Sequence, residues 1–318
     1  MAYKYVTAIL TDSPNTKFAS SSRSSVHATA DAIESLRCFA PEVPLVIVFD
    51  GITVPQRRMF GSKCGSPVRN ASEYLKHIDR VRSLANATML QPVQIIIAPE
   101  RSCLVGTAHA GVAAVRTPFV LMMQNDRPLL RRLPWQTLVR TMWQESDHVQ
   151  AIWLPSETID VERQNEHRAC FGKNAHRKHQ AFKWLQEREP SRYRAIQNRS
   201  HTLKRDLHLT PATPEDEGLS LERRRFWSDA TVFARIEHYT DLVWPTVETE
   251  ILHYRQHVKH LPISVGFMEY HIFCHPYIAW ELWGTWTLVD HRTRGPFTAH
   301  DLKKKRNRSK LSCTRPAQ

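Results

Sequence analysis

Four polar residues, Gln124-Asn125-Asp126-Arg127, follow an apolar run with the composition of a buried strand, Phe119 to Met123. A strand that ends in an acid delivers a carboxylate to the rim of a sheet, and hard oxygen ligands of this kind suit Mg²⁺ or Mn²⁺. A divalent cation at such a rim neutralises negative charge on departing phosphates. We therefore predict that Asp126 is a metal ligand. The alternative is that Asp126 only caps a helix or forms a turn before Pro128.

Two further acids also follow apolar stretches. Asp12 comes after the stretch Tyr5 to Leu10, and Asp50 comes directly after Leu45 to Phe49. Ligands of parallel sheets bind beyond the carboxyl ends of the strands, so three acids on one rim can converge on a single site. The Asp50 carboxylate could accept hydrogen bonds from a base N–H or a ribose hydroxyl. A simple Asp-Gly turn is the alternative for Asp50.

The elements that would position these acids alternate between strands and helices along the first half of the chain. The predicted strands are 5–10, 45–49, 93–97, 119–123 and 149–154, and the predicted helices are 24–39, 72–84, 106–115 and 134–146. This alternation indicates an α/β sandwich with a mostly parallel sheet. From residue 160 to 225 the pattern weakens and predicts helices with long connections, with an exposed loop at 210–218. Ordered sequence returns at 226–233 and 266–272, and the sequence at 283–290 is strand-like.

The bulk composition allows one large domain or two small ones. The chain has 318 residues, and its hydrophobic content of 42% is ordinary for a globular protein. No apolar run approaches the roughly 18 residues needed to cross a bilayer. The N-terminus lacks a basic leader followed by an apolar core and a small-residue cleavage site. These features together predict a cytoplasmic protein.

The cysteines indicate the redox state of the thiols, and the net charge indicates the kind of partner that the chain binds. Six cysteines are scattered without a C-x-x-C pair, which favours reduced thiols: Cys38, Cys64, Cys103, Cys170, Cys274 and Cys313. The net charge of +13 favours an anionic partner such as a nucleotide diphosphate, a nucleic acid or an acidic membrane surface. Basic residues concentrate in 163–225 and in 303–308. The second cluster is either a solvated tail or a peripheral contact with a membrane or nucleic acid.

Three motifs in order give the chain a family resemblance. Thr11-Asp12-Ser13-Pro14 follows the first strand, Val48-Phe49-Asp50-Gly51 follows the second, and Thr117 to Arg127 follows a short Ala-rich helix. This order resembles the GT-A glycosyltransferases, nearest to the family 2-like enzymes, and is similar to glycosyltransferases of large algal viruses and microalgae. The resemblance covers residues 3–155. It implies a single Rossmann-type α/β/α sandwich with a mostly parallel central sheet and a C-terminal acceptor-side extension.

The same resemblance implies a division of labour along the chain. Residues 1–155 would form the donor-binding half, residues 156–302 the acceptor-binding half of the same domain, and residues 303–318 a basic tail. Gln124-Asn125-Asp126 resembles the D-x-D motif with its first acid replaced by Gln124. The last acid of that motif touches the metal in the family, which implies a Mn²⁺ or Mg²⁺ cofactor and a nucleotide-diphosphate sugar as donor.

Further site residues follow from the resemblance. The donor-binding residues that it suggests are Thr11, Asp12, Ser13, Asp50, His109, Asn125 and Arg127. Arg127 could pair with a phosphate or equally with a surface acid. His300 is suggested as an additional metal ligand by its late position alone.

The acceptor half should supply a general base. An inverting transfer needs a carboxylate or imidazole that deprotonates the acceptor hydroxyl as it attacks the anomeric carbon. Glu269 and Asp229 are the candidates, because both acids lie among apolar or aromatic residues where burial would raise their pKa. We therefore predict a metal-dependent glycosyltransferase, acting with inversion on a saccharide or glycoconjugate acceptor.

Other functions fit the sequence less well. Sugar nucleotidyltransferases usually open with a Gly-rich basic loop after the first strand, whereas this chain has Asp12 to Thr16 there. A non-enzymatic nucleic-acid-binding protein would explain the charge, but the basic residues form no known binding module, so we expect no nucleic-acid partner. Gln124 leaves open a degenerate glycosyltransferase-like protein. Neither a P-loop nor a G-x-G-x-x-G fingerprint occurs in the sequence.

Overall fold

The computed structural model describes most of the first half of the chain and several segments of the second. The described residues are 2–12, 22–52, 71–101, 103–157, 190–191, 194, 206–224, 227–228, 230–248, 280–293 and 295–299. Within them lie nine strands: β1 (Val6–Asp12), β2 (Leu45–Phe49), β3 (Val93–Ile97), β4 (Phe119–Gln124), β5 (Ala151–Trp153), β6 (Asp206–His208), β7 (Leu219–Arg223), β8 (Val232–Arg235) and β9 (Thr285–Asp290).

All nine strands belong to one sheet with the order β3-β2-β1-β4-β8-β5-β9-β7-β6. The first four strands in this order pair in parallel, so their carboxyl ends meet at one edge. Strand β8 runs antiparallel to both β4 and β5, and β5 therefore runs in the same direction as β4. Strand β9 pairs in parallel with β5, whereas β7 and β6 complete the sheet in antiparallel pairs.

Helices cover both faces of the sheet. The described helices are α1 (Ser22–Phe39), α2 (Ala71–Thr88), α3 (Cys103–Ala114), α4 (Trp135–Gln144) and α5 (Trp280–Trp283), with a π-helical turn at His238–Val243. One core cluster joins α1, α2 and α4 to one face. A second cluster joins α3 and the helical segment around the π-helical turn to the opposite face. The described part of the chain is thus a three-layer α/β/α sandwich.

Strand β4 shows why its sequence is an unbroken apolar run. Successive side chains of a strand point to opposite faces. Phe119, Leu121 and Met123 pack in the cluster of α1, α2 and α4, whereas Val120 and Met122 pack in the cluster of α3. A strand covered on both faces needs apolar residues at every position. The run therefore ends where β4 reaches the edge of the sheet and polar residues become favourable.

The predicted α/β fold class is confirmed, and the predicted parallel arrangement holds for β3-β2-β1-β4. The other half of the sheet is mixed, and the sequence pattern did not predict its antiparallel strands. The predicted helices with long connections at 160–225 are wrong where β6 and β7 form. Strand β6 is only three residues long and partly exposed, so its sequence carries little strand pattern, whereas β7 is buried at its first three residues. The sheet uses strands from both sides of residue 155, and the predicted division into donor and acceptor halves stays a prediction.

The predicted reduced thiols are wrong for two cysteines, since Cys38 and Cys103 are each disulfide-bonded. Cys38 lies near the end of α1 on one face of the sheet, whereas Cys103 begins α3 on the opposite face. A disulfide requires the two Cα atoms to lie within roughly 7 Å of each other, so these cysteines belong to two different bonds. None of the described helices is long and apolar enough to cross a membrane.

Candidate functional site at the carboxyl edge of the sheet

Asp126 lies in the turn that leaves the carboxyl end of β4. The Arg127 amide donates to the Gln124 carbonyl at 3.1 Å, and the Asn125 amide donates to the Thr11 carbonyl of β1 at 3.1 Å. The Asp126 side chain is half-buried. Its Oδ1 is buried and has no hydrogen-bond partner among the described residues. A buried carboxylate oxygen without a donor is costly unless something positive completes it.

Asp12 lies beside this turn but is satisfied from within the chain. Its Oδ2 accepts the hydroxyl hydrogen bond of Thr29 at 2.9 Å and lies 2.7 Å from Nε2 of His77. Its Oδ1 accepts from Nδ2 of Asn125 at 3.2 Å. Asp12 is fully buried, so its carboxylate organises the edge of the sheet and offers no exposed oxygen to a ligand.

Asp50 is likewise fully buried and holds the start of α3. Its Oδ1 accepts from the Gly51 amide at 3.0 Å, and its Oδ2 accepts from the Cys103 amide at 3.0 Å. Nε of the buried Arg101 lies 3.9 Å from the same Oδ2. Free N–H groups at a helix start favour an acidic partner. In this geometry Asp50 caps a helix and balances a buried guanidinium.

Tyr74 of α2 connects the two buried acids. Its hydroxyl donates to the Asp12 carbonyl at 3.3 Å, and its ring packs edge-on against Phe49. Burial, followed by the nearby charges of Asp12 and Asp50, raises the pKa of Tyr74 above its ordinary value. The hydroxyl therefore stays protonated and remains a hydrogen-bond donor at neutral pH.

The other predicted donor-side residues fall into different environments. Thr11 is buried and donates its hydroxyl to the Met123 carbonyl at 3.1 Å, which ties β1 to β4. Nε of Arg127 donates to Oε1 of Gln124 at 3.2 Å. Gln124 thus orients the guanidinium of Arg127, the residue that follows Asp126. His109 is exposed, and its ring packs against Trp244 at 5.3 Å.

His109 lies further along α3 than Cys103, the first residue of that helix. It lies six residues after Cys103, which corresponds to about 9 Å of helix rise. In this arrangement His109 contacts the segment after the π-helical turn, while Cys103 contacts Asp50. The predicted donor contact of His109 stays a prediction.

Four predicted site residues lie outside the described part of the chain: Ser13, Asp229, Glu269 and His300. Their assignments as donor contact, acceptor-side base and metal ligand stay predictions. A described neighbour bears on one of them. The Ala299 amide donates to the Pro128 carbonyl at 2.9 Å, so the chain just before His300 runs beside the residues that follow Asp126.

A set of contacts around Arg131 secures this late segment, and the sequence did not predict it. Nη1 of Arg131 lies 2.5 Å from Oδ2 of Asp290 at the end of β9, and its guanidinium stacks 3.5 Å from the ring centre of Phe297. Burial opposes ionisation of Asp290, but hydrogen bonds from Arg131, Thr293 and the following backbone lower its pKa. No sequence signal connected these residues, because 159 positions separate Arg131 from Asp290.

A cavity of about 200 Å³ opens beside these contacts of Arg131, on the α4 side of the sheet. Its lining includes Arg131, Asp216 and Asp290, but not Asp126. The two acids already have internal partners, Thr137 for Asp216 and Arg131 for Asp290. The cavity is therefore a groove bounded by structural pairs, and the edge around Asp126 remains the stronger candidate for chemistry.

The donor set at Asp126 fits a hard divalent cation. No group of three or more His, Cys, Asp or Glu side chains gathers around a common point within the described ranges. Magnesium and manganese sites that serve phosphorylated ligands often use only one or two protein carboxylates, since phosphates and water complete the shell. A single half-buried acid with one buried, unpaired oxygen meets that requirement.

Comparison with known proteins gives no family assignment. The sequence matches no model of a known protein family and no curated protein. Similar solved structures include TarS of S. aureus, at 11% identity and a TM-score of 0.30, covering 49% of this chain and 22% of that one. A mannosyltransferase of Pyrobaculum calidifontis in complex with GDP-Man and Mn²⁺ is 12% identical with a TM-score of 0.32, covering 50% of this chain and 37% of that one.

Mouse xyloside xylosyltransferase 1, in its apo form, is 10% identical with a TM-score of 0.38 and aligns over 87% of this chain and 83% of its own. The aligned part of this chain spans less than two thirds of TarS and of the mannosyltransferase. TM-scores below 0.5 define neither a shared fold nor a shared activity. The function of this chain therefore rests on its own residues.

Proposed function

We propose that this chain is a metal-dependent glycosyltransferase that uses a nucleotide-diphosphate sugar as donor. The observation that carries the proposal is the half-buried Asp126, whose Oδ1 is buried and unpaired within the described residues at the carboxyl edge of a parallel half-sheet. Ligands of such sheets bind at this edge. An oxygen that the protein leaves unsatisfied there suits a Mn²⁺ or Mg²⁺ ion better than an internal donor.

The metal would be held by Asp126, with His300 as a second ligand. Hydrogen bonding of Ala299 to Pro128 supports this pairing, because it brings the residue before His300 beside the turn of Asp126. The bound cation would neutralise the charge on the diphosphate leaving group. The net charge of +13 favours the same anionic donor.

The chain's own residues would prepare and complete the transfer. Gln124 orients Arg127 beside Asp126, where the guanidinium can pair with a donor phosphate. Glu269, or Asp229 in its place, would remove the proton of the acceptor hydroxyl. The acceptor oxygen then bonds to the anomeric carbon from the face opposite the nucleoside diphosphate, which departs with the electrons of the broken bond. The configuration at that carbon is inverted.

A thermal-shift screen tests the proposal. The purified chain is heated with UDP, GDP, CDP, dTDP or UMP, each with and without Mn²⁺. Because a ligand that binds only the folded state raises its stability, one diphosphate should raise the melting temperature in a metal-dependent way. Asp126→Ala should lose that shift, whereas Asp241→Ala, which removes an exposed acid of the π-helical turn, should keep it.

Two results would overturn the proposal. The first is a normally folded Asp126→Ala protein that keeps the full metal-dependent shift. The second is the absence of any nucleotide shift together with a large, salt-dependent shift from nucleic acid, which would favour a basic binding protein instead.

A further inference from the structure

A buried polar network lies directly behind the turn that carries Asp126. It joins His77 of α2, Thr29 of α1 and Asn125 of the turn, all converging on the carboxylate of Asp12. The side chains of Asp12 and Thr29 are fully buried, and only 1% of His77 is exposed. Buried polar networks of this kind are costly unless their members are paired, and once paired they hold a single arrangement.

His77 stands out on the helix that carries it. The buried residues of α2 are Tyr74, His77, Ile78, Val81 and Ala85, so a histidine occupies the face that packs on the sheet. An apolar residue would fill that face at lower cost in solvation. Nε2 of the imidazole lies 2.7 Å from Oδ2 of Asp12, and this pairing offsets the cost of burying the ring. The pairing indicates that His77 holds the Asp12 carboxylate in place.

The network fixes Asn125 from two sides. The backbone N–H of Asn125 donates to the Thr11 carbonyl. Its side-chain Nδ2 donates to Oδ1 of Asp12 at 3.2 Å and to the Thr29 hydroxyl at 3.3 Å. Asp126 follows directly in the chain. Within the described residues its buried Oδ1 has no donor to hold it. The direction of the Asp126 side chain therefore depends on the turn, and the turn depends on Asn125.

We propose that His77 and Thr29 are positioning residues for Asp126, acting through Asp12 and Asn125. The inference rests on the proposed function, because it takes Asp126 as the metal ligand. Neither His77 nor Thr29 touches the metal or the donor in this scheme. They hold the carboxylate of Asp12 in one orientation, and Asp12 in turn holds the side-chain amide of Asn125. The turn is then fixed, and with it the orientation of the Asp126 carboxylate. Partners behind a metal ligand typically contribute about 10- to 100-fold to metal affinity.

The first test measures the turn without any metal. Hydrogen–deuterium exchange is followed in peptides covering residues 119–130 of the metal-free protein. His77→Phe keeps a ring of similar size but removes the hydrogen bond to Asp12, and it should speed exchange in the turn. His77→Gln should restore slow exchange, since its amide nitrogen can reach where Nε2 lies. The matched control is His238→Phe, which replaces an equally buried histidine in the opposite core cluster.

The second test measures metal affinity. Mn²⁺ is titrated by electron paramagnetic resonance in the presence of the nucleoside diphosphate that stabilises the protein most. His77→Phe should weaken Mn²⁺ binding by about 10-fold or more, with His77→Gln recovering most of the loss. His238→Phe should bind Mn²⁺ like the unmodified chain. If His77→Phe does not fold, Thr29→Val removes another donor to Asp12 and carries the same expectation.

The outcomes separate this inference from the function on which it rests. A folded His77→Phe or Thr29→Val protein with unchanged exchange and unchanged Mn²⁺ affinity overturns the positioning role alone. Faster exchange in the turn with unchanged Mn²⁺ affinity also overturns it, because the network would then serve only the fold. An unmodified chain that binds no Mn²⁺ overturns the metal site and the inference together.

Discussion

Three acids that look alike in sequence perform different tasks at the carboxyl edge. Asp12, Asp50 and Asp126 lie at or just beyond the ends of parallel strands, which predicted a shared site. Asp12 and Asp50 are fully buried and hydrogen-bonded within the chain, whereas Asp126 is half-buried and keeps one oxygen unpaired among the described residues. The partners of each carboxylate, rather than its place in the chain, decide whether it stabilises the fold or is available to a ligand.

This difference predicts opposite effects on stability. Asp50→Asn removes the charge beside the buried Arg101 and disturbs the cap of α3, and it should lower the free energy of unfolding by about 3 kcal/mol. Asp126→Asn should not lower it by more than about 0.5 kcal/mol, because no described donor is lost. Urea denaturation of the two variants measures both values. Equal destabilisation would show that Asp126 is also a structural acid.

His238 predicts a pH dependence of stability. Its ring is fully buried among Trp153, Tyr239 and Trp283, and neither ring nitrogen has a hydrogen-bond partner in the described structure. Burial lowers the pKa of His238 from 6.5 to about 3. The unfolded chain therefore binds a proton below about pH 6.5 that the folded chain does not accept, and stability falls as the pH drops from there toward 3.

The measurement compares the unmodified chain with His238→Phe at pH 7 and pH 5. The loss of unfolding free energy between these two values should be about 2 kcal/mol smaller in the variant, because the other titrating groups act in both proteins. Identical losses would mean that His238 is protonated in the folded state or reaches solvent.

At the scale of elements, the close packing of α3 against the parallel strands β1 and β2 determines where the helix lies. A Cβ built on Gly111 would lie 2.5 Å from Cγ2 of Ile9 and 3.2 Å from Cγ2 of Val48. Only a glycine lets the helix approach β1 and β2 this closely. This packing in turn positions Cys103 at the start of α3, where its backbone N–H donates to Asp50.

Gly111→Ala should therefore destabilise the protein by roughly 1 to 3 kcal/mol, although alanine is the better helix former. Thermal or urea unfolding measures the change. Gly295→Ala is the control, because its nearest neighbour would be Oγ1 of Thr293 at an ordinary 3.6 Å. A Gly111→Ala protein as stable as the control would show that α3 can shift outward without cost.

At the scale of the whole molecule, the disulfide bonds of Cys38 and Cys103 differ from the reduced thiols that the sequence predicted. Disulfides persist in oxidising compartments and are rare where thiols are kept reduced. Cys38 lies on α1 and Cys103 begins α3, and these helices pack on opposite faces of the sheet. The cytoplasmic location expected from the sequence stays a prediction.

Peptide mapping by mass spectrometry without reduction should find Cys38 and Cys103 in disulfide-linked peptides. Mild reduction should lower the free energy of unfolding by about 2 to 4 kcal/mol for each bond that opens. Free thiols at both positions in protein purified under oxidising conditions would contradict the assignment.

The sequence by itself determined the parallel half of the fold and the location of its edge. Strands β1, β2 and β4 are short, largely apolar runs, and they are legible because burial on both faces demands such residues locally. The partly exposed β3, at one end of the described sheet, is legible instead from its β-branched composition. The sequence of α2 contains one indication of a buried polar contact that was not used in the prediction. His77 falls on the same helical face as Tyr74 and Val81, and a polar residue on a buried face signals an internal partner.

Only the tertiary structure decided which side chains pair with one another at and near the carboxyl edge of the sheet. The pairing of His77 with Asp12 spans 65 positions and that of Arg131 with Asp290 spans 159, and no local propensity encodes contacts so distant in sequence. The same holds for β8, which enters the sheet between β4 and β5 from far along the chain. Sequence patterns record how each segment is buried, but hydrogen bonds between distant segments depend on where folding places them. That is why three similar acids could be located from sequence while their separate roles could not.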